Sequence, residues 1–271
     1  MINRINYSNT KICNILIFDS GLGGLSIYKK LQYYFPHINY VYAFDNEFFP
    51  YGNKKKSLIF SRCSKIINKI SKNINITIAI LACNTISVTS LTSLKKIFHF
   101  PIIGITPDIK KAITLTKTNI IGLLATKTTI NHYNIQNKIM SLLPKIIVKT
   151  LHHEKLVKIA EKKVKCNLIN KNQINKILKP WSSKKNKIDT VIIGCTHFNF
   201  LKNEIQNIFF KKIHIVSSNV KISNNIFNIV KKCNYKKNQN IVFFSKFENN
   251  HIFILKLFKK YKFQKFKKLN I

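Results

Sequence analysis

Arginine is almost missing from this chain of 271 residues: of 47 basic residues only Arg4 and Arg62 are not lysine. Acids are scarce too, with Asp and Glu together numbering 9, so the formal net charge is +38. Such a charge invites a nucleic-acid reading. Specific nucleic-acid recognition, however, leans on the planar guanidinium fork, and that group is nearly absent. The lysines are spread over the whole length beside abundant Asn and Ile, as drift in an AT-rich genome would leave them; a polyanion-binding surface is the alternative. Either way, incidental attraction to polyanions at low salt is expected, without a specific nucleic-acid partner. No apolar run reaches the roughly 18 residues that a membrane span needs. Residues 1–11 lack the apolar core of a secretory signal, so the expectation is a soluble, cytoplasmic protein with no membrane partner. Six cysteines contain no CxxC pair and no Cys/His cluster at zinc spacing, which argues against a disulfide framework, a redox motif and a metal site. A lone cysteine reads by default as a small buried hydrophobe.

What is present is alternation. Short Ile- and Val-rich runs at 14–18, 39–44, 77–82, 102–105, 119–124, 145–148, 190–194, 214–216 and 241–244 read as strands covered on both faces. Amphipathic stretches such as 25–34, 58–71, 129–142, 173–178 and 223–232 read as helices between them. The pattern predicts an α/β fold with mainly parallel sheets wrapped by helices.

The chain also echoes itself. ITIAILACNT at 76–85 is matched by IDTVIIGCTH at 188–197, and ILIFDSG at 15–21 by IIGLLAT at 120–126. Two related lobes would explain both pairs, although short apolar echoes also arise by chance. Ligands bind at the carboxyl ends of parallel strands, and there each echo carries a cysteine, Cys83 in one and Cys195 in the other. Facing lobes would turn the two thiols toward each other.

Four motifs carry polar chemistry. FDSGLGGL at 18–25 holds three of only seven glycines, which permit a tight turn and close backbone approach ahead of a helix N-terminus. GLGG lacks the GK[ST] ending of a phosphate loop, and Asp19 is either a helix cap or a group that orients a base or an ammonium. DNEFFPYG at 45–52 is a turn; beyond a structural role, it can present backbone N–H groups and the Tyr51 phenol to a carboxylate. ACNT at 82–85 and GCTH at 194–197 each set a thiol before hydrogen-bonding residues at a strand end, where a lowered thiol pKa is expected. His197 is near enough in sequence to exchange protons with Cys195, and Asp19 can serve Cys83 from the neighbouring strand.

Two thiols without a metal suit racemisation, in which one face of a carbon loses a proton and the opposite face gains one. One sulfur is then the base and the other the acid, with roles exchanged for the reverse substrate. Donors from Asn84, Thr85, Thr196 and the Asp19–Ser20 turn would hold the substrate and its developing charge.

FDSGLGGLS, FPYG, LACNT, GLLAT, LVKIAE, KPW and IIGCTHF, in this order over about residues 12–265, resemble the glutamate racemases of the aspartate/glutamate racemase superfamily. The resemblance implies two pseudo-symmetric α/β lobes with the active site between them. The second lobe, 109–217, is inserted into a first lobe of 1–108 plus 218–271. It implies Cys83 and Cys195 as alternating acid and base, with Asp19, His197 and Glu161 assisting. Substrate contacts carry over to Asp19, Ser20, Tyr51, Gly52, Asn84, Thr85, Thr126, Thr128, Thr196 and His197. It further implies no cofactor, neither pyridoxal phosphate nor metal, glutamate as the small-molecule partner, and D-glutamate made for peptidoglycan; a homodimer stays open. Aspartate racemisation is the near alternative; an inactive descendant and a polyanion binder on an old racemase scaffold are the others. The chain departs from the family where many members read VDSG, having Val216-Ser217-Ser218-Asn219, and where Asn199-Phe200 replace Pro-Leu after CTHF. Both departures point to the seam between the lobes.

Overall fold

The computed structural model describes residues 12–183, 186–218, 224–233, 239–247 and 251–271; Arg4, Asn219 and Ser223 lie outside them. Among the described residues ten strands run in chain order as β1 (Asn14–Asp19), β2 (Asn39–Phe44), β3 (Ile78–Leu81), β4 (Ile102–Gly104), β5 (Ile120–Ala125), β6 (Ile147–Leu151), β7 (Thr190–Gly194), β8 (His214–Ser217), β9 (Asn240–Phe244) and β10 (Phe263–Lys268). The helices are α1 (Leu25–Tyr34), α2 (Lys56–Ser71), α3 (Asn84–Ile97), α4 (Ile109–Leu115), α5 (Lys127–Ile130), α6 (Tyr133–Met140), α7 (Glu154–Cys166), α8 (Lys171–Ser182), α9 (Lys202–Gln206), α10 (Asn224–Lys231) and α11 (His251–Lys260).

The strands form two sheets, a six-stranded one ordered β10-β9-β2-β1-β3-β4 and a four-stranded one ordered β6-β5-β7-β8. Every strand pairing in both is parallel. The second sheet repeats the order of β2-β1-β3-β4 in the first, so the echo heard in the sequence is a repeat of topology.

Side chains on a strand alternate between its faces, and here both faces are covered. In β1, Ile15 and Ile17 enter one apolar cluster while Leu16 and Phe18 enter another. In β7, Val191 and Ile193 face one cluster and Ile192 the other. Two-sided burial explains why these strands read as unbroken apolar runs. Helix α4 belongs with the second sheet, with Ile109 and Ala112 packed in the cluster of Ile121, Leu123 and Val216.

Some elements differ from the sequence expectation. The segment 129–142 is not one helix. It is α5, capped by the Thr126 hydroxyl, which accepts from the Thr129 N–H, followed by α6. Between them His132 takes an extended conformation (φ −72°, ψ 132°) that ends one helix and starts the next. The strand expected at 145–148 is Ile147–Leu151, because pairing with β5 begins at Ile120↔Ile147. Strand β10 was missed: its sequence FQKFKK is mostly exposed, as befits a lysine-studded edge strand. Among the described residues no helix is long and apolar enough to cross a membrane.

Ile80, at 0% exposure in β3, provides a test of this packing. Ile80→Ala should cost about 2–5 kcal/mol in urea unfolding, whereas Tyr33→Ala, at a site 82% exposed, should stay within about 0.5 kcal/mol.

Candidate active site

Both cysteines sit one step before a helical turn, at matching strand ends. Cys83 follows β3 in extended conformation and is the residue before α3. Cys195 follows β7, also extended, and precedes a 3-10 helix, Thr196–Leu201. The registers correspond: Phe18 of β1 pairs with Leu81 of β3, and Leu124 of β5 with Ile193 of β7. Under this match Asp19 corresponds to Ala125, so only one half of the repeat carries a carboxylate beside its thiol. The thiols are nearly but not wholly covered, at 8% exposure for Cys83 and 7% for Cys195.

On the Cys83 side the contact with Asp19 runs through Ser20. The Ser20 hydroxyl lies 4.0 Å from Cys83 Sγ and donates to Asp19 Oδ1 at 3.3 Å. Asp19 Oδ1 also accepts from the Ser20 N–H at 2.6 Å, while Oδ2 accepts from the Thr196 hydroxyl at 3.1 Å. Asp19 thus reaches toward both cysteine loops. Burial pushes its carboxyl up to about 6, against the pull of His197 and of the Ser20 and Thr196 hydrogen bonds. The Cys83 thiol departs from the sequence expectation of a lowered pKa. Burial, reinforced by the Asp19 charge, holds it well above the ordinary thiol range, although the Ile86 and Thr85 N–H groups at the start of α3 pull the other way. Position at a helix N-terminus favours thiolate, but here desolvation outweighs it.

On the Cys195 side the loop folds back as expected, placing His197 Nδ1 3.8 Å from the sulfur. The other ring nitrogen, Nε2, meets Glu161 Oε2 at 2.8 Å. Burial by itself would favour the neutral ring, yet Cys195 and Glu161 outweigh it and raise the imidazole well above its usual range. Glu161 is delivered by α7. Burial alone would raise its pKa, but His197, Lys165 at 3.6 Å and the Leu22 N–H together hold it below the usual value. That Leu22 N–H donates to Glu161 Oε2 at 3.0 Å, so the Gly-rich loop does meet an anion, and the anion is the protein's own. Its glycines serve close approach: no glycine in the chain has positive φ, while a Cβ on Gly23 would come 2.6 Å from His197 Nδ1.

The remaining predicted residues gather around the seam between the sheets. Asn84 is buried, and neither its amide nitrogen nor its amide oxygen has a protein partner; such groups are costly unless a ligand meets them. Thr85 and Thr126 share a hydrogen bond of 2.9 Å across the seam, and the Thr128 hydroxyl donates to the Gly52 carbonyl at 2.9 Å. Tyr51 differs from the expectation of a phenol free for a carboxylate ligand, because its hydroxyl donates to Asp45 Oδ2 at 2.5 Å. The turn therefore offers backbone. A cavity of about 350 Å³ opens beside Gly52 and Thr126, lined also by Asn53, Lys127, His153 and Val157; neither cysteine lines it.

Asp45, the first residue of the DNEFFPYG turn, and Arg62 meet beside this site without either being among the predicted site residues. Asp45 accepts from Arg62 Nη2 at 2.7 Å and from Arg62 Nε at 2.9 Å, and both residues are buried. The one signal in the sequence was the rarity of arginine. Of the two family departures, Asn199 donates to the Ser26 hydroxyl of α1 at 3.2 Å, bridging the seam. At the other, the Ser217 hydroxyl is buried without a partner while that of Ser218 donates to the Ile193 carbonyl.

Comparison with known proteins agrees with this geometry. The Asp/Glu/Hydantoin racemase family model matches residues 19–221. Glutamate racemase of Buchnera aphidicola subsp. Schizaphis graminum is 44% identical over 259 residues, covering 95% of this chain and 100% of the relative. That of Buchnera aphidicola subsp. Acyrthosiphon pisum (strain APS) is 42% identical over 261 residues, with coverage of 95% and 100%. The crystal structure of Escherichia coli glutamate racemase, in complex with L-glutamate and the activator UDP-MurNAc-ala, superposes with a TM-score of 0.88 at 32% identity, covering 95% of this chain and 98% of that one. With its family motifs at two matching strand ends and its relatives aligned over nearly their whole length, the chain belongs to the glutamate racemases of the Asp/Glu/hydantoin racemase family and is an isomerase.

Proposed function

We propose that this chain interconverts L- and D-glutamate with Cys83 and Cys195 as its acid and base, without pyridoxal phosphate or metal, and so supplies D-glutamate for peptidoglycan. The observation that carries the reading is the matched placement of two nearly buried thiols, each with its own proton-handling partner. The inserted-lobe division, 1–108 plus 218–271 against 109–217, belongs to the same proposal. It is supported by β9 and β10 joining the first sheet while β5–β8 form the second.

In one direction a thiolate removes the α-proton from one face of the substrate, and the thiol on the other face delivers its proton to the same carbon. The Cα–H bond breaks as a new S–H bond forms, and the second S–H bond breaks as the new Cα–H bond forms. The enzyme ends with its two protonation states exchanged, ready for the reverse reaction. Protons return through the Ser20–Asp19 pair on one side and the His197–Glu161 pair on the other. Raised above its ordinary range, Cys83 holds its proton in the resting site and is poised as an acid. Asn84, Thr85 and Thr196 follow the two cysteines in the chain, can donate to the substrate's carboxylate and can accept from its ammonium group through their side-chain oxygens, and fixed polar groups of this kind lower the barrier beyond the proton transfers alone.

The deciding measurement is proton NMR of L-glutamate with purified protein in heavy water, no cofactor added. Loss of the α-proton signal together with appearance of D-glutamate is expected. Exchange with aspartate only would move the substrate, and no exchange from folded protein would remove the reaction. Cys83→Ser and Cys195→Ser should each lower turnover of both enantiomers by about 10²–10⁴-fold, and near-normal turnover in either variant would refute the two-thiol assignment. Asp19 makes a third test through linkage. Its folded pKa, about 6, lies above the ordinary 3.8, so its contribution to stability is fullest below about pH 4 and is lost as pH rises through about 6. Asp19→Asn escapes that loss. It should melt higher than wild type at about pH 8, with the gap closing near pH 4, while racemisation falls; an equal gap at both pH values would contradict the buried-charge account.

A further inference from the structure

We propose that Asp45 and Arg62 are positioning residues for the reaction, holding the turn at Tyr51–Asn53 against the seam so that the substrate site has its working shape; this rests on the racemase reading above. Asp45 follows β2, is fully buried, and its N–H donates to the Asp19 carbonyl at 3.3 Å. Its carboxylate is filled on both oxygens: Arg62 Nη2 on Oδ1, and Arg62 Nε with the Tyr51 hydroxyl on Oδ2. Arg62, from α2, also donates through Nη2 to Glu47 Oε2 at 3.0 Å, and its guanidinium lies 4.1 Å from the centre of the Phe48 ring.

A buried ion pair is poor evidence for stability, because desolvation offsets its attraction. A fully satisfied buried network does specify one geometry. Here the geometry requires a planar fork, since a lysine can offer a point charge but not two parallel N–H donors with a face for Phe48. The composition bears this out. The chain uses lysine for nearly every basic residue, and Arg62 is the sole arginine among the described residues. At every other basic position among the described residues, positive charge is supplied by lysine.

The network acts through Tyr51. Its ring lies in the apolar cluster under the sheet that also holds Cys83, and its hydroxyl is tied to Asp45, so the next residue is held in place. Gly52 meets Thr126 so closely that a Cβ would stand 2.8 Å from Thr126 Cγ2, and its carbonyl accepts from Thr128. Thr126 in turn holds the Thr85 hydroxyl, two residues from Cys83. Displacing the turn therefore alters where Gly52, Thr126 and Thr85 stand around the substrate.

The test is steady-state racemisation by wild type, Arg62→Lys, Arg62→Met and Tyr51→Phe, in both directions and across pH, on protein shown to be folded by circular dichroism. Arg62→Lys should raise KM about tenfold or more, with kcat within about threefold of wild type and the apparent pKa values of the profile unmoved. It should be no better than Arg62→Met, because charge without the fork does not hold the turn. Tyr51→Phe, which keeps the ion pair and removes only the hydroxyl, should give a smaller rise in KM of the same kind. Wild-type KM in folded Arg62→Lys overturns the proposal. Should the Arg62 variants not fold, unchanged KM in Tyr51→Phe overturns it equally. Wild-type protein that exchanges no α-hydrogen overturns the racemase reading and this inference with it, whereas an active wild type beside an unaltered Arg62→Lys defeats the inference alone.

Discussion

One carboxylate oxygen, Oε2 of Glu161, faces the Leu22 N–H of the Gly-rich loop and Nε2 of His197 at the same time. The first belongs to the turn after β1 and the second to the turn after β7, so this contact ties the ends of the two sheets together inside the protein. It also bears on the electrostatics around Cys195, because Glu161 joins Cys195 itself in raising the pKa of the buried imidazole against desolvation. Glycine at 21 and 23 follows from the same constraint, since a Cβ would stand 3.0 Å from Glu161 Oε2 at the first and 2.6 Å from His197 Nδ1 at the second.

The two halves repeat in topology and differ in chemistry. Each gives a cysteine at the end of a central strand, before a helical turn. Asp19 on one side has Ala125 as its counterpart on the other, where His197, held in turn by Glu161, stands beside the thiol instead. A repeated scaffold thus sets two unlike groups near its cysteines, one a carboxylate reached through a hydroxyl and one an imidazole. Unlike neighbours suit the proposed reaction, in which one thiol would act as an acid while the other acts as a base. The high positive charge lies outside this logic, though it favours the approach of an acidic small molecule.

Much of the fold was legible because two-sided burial writes itself into sequence as short Ile- and Val-rich runs. β2 and β7 were readable to the residue, and α1 as well. β10 was not, since an exposed edge strand keeps only a weak apolar pattern among its lysines. The single helix expected at 129–142 failed because the break at His132 is a matter of backbone conformation, with no proline or glycine to announce it. In the site, the cysteines and His197 were legible as motifs. Arg62 was not, because its partner is 17 positions away and meets it only through the packing of α2 beside the end of β2.

By itself the sequence determined the alternation of strand and helix, the doubling of the cysteine motif and the family to which it belongs, since local patterns and short motifs are carried by neighbouring residues. Only the tertiary structure decided that Asp19 reaches Cys83 through Ser20, that Tyr51 gives its hydroxyl to Asp45, and that Cys83 is raised in pKa despite its helix N-terminus. The reason is the same in each case. Desolvation and hydrogen bonding between residues distant in the chain exist only after the sheets have packed, and at the depth of these residues they outweigh what each residue's neighbours in sequence would impose.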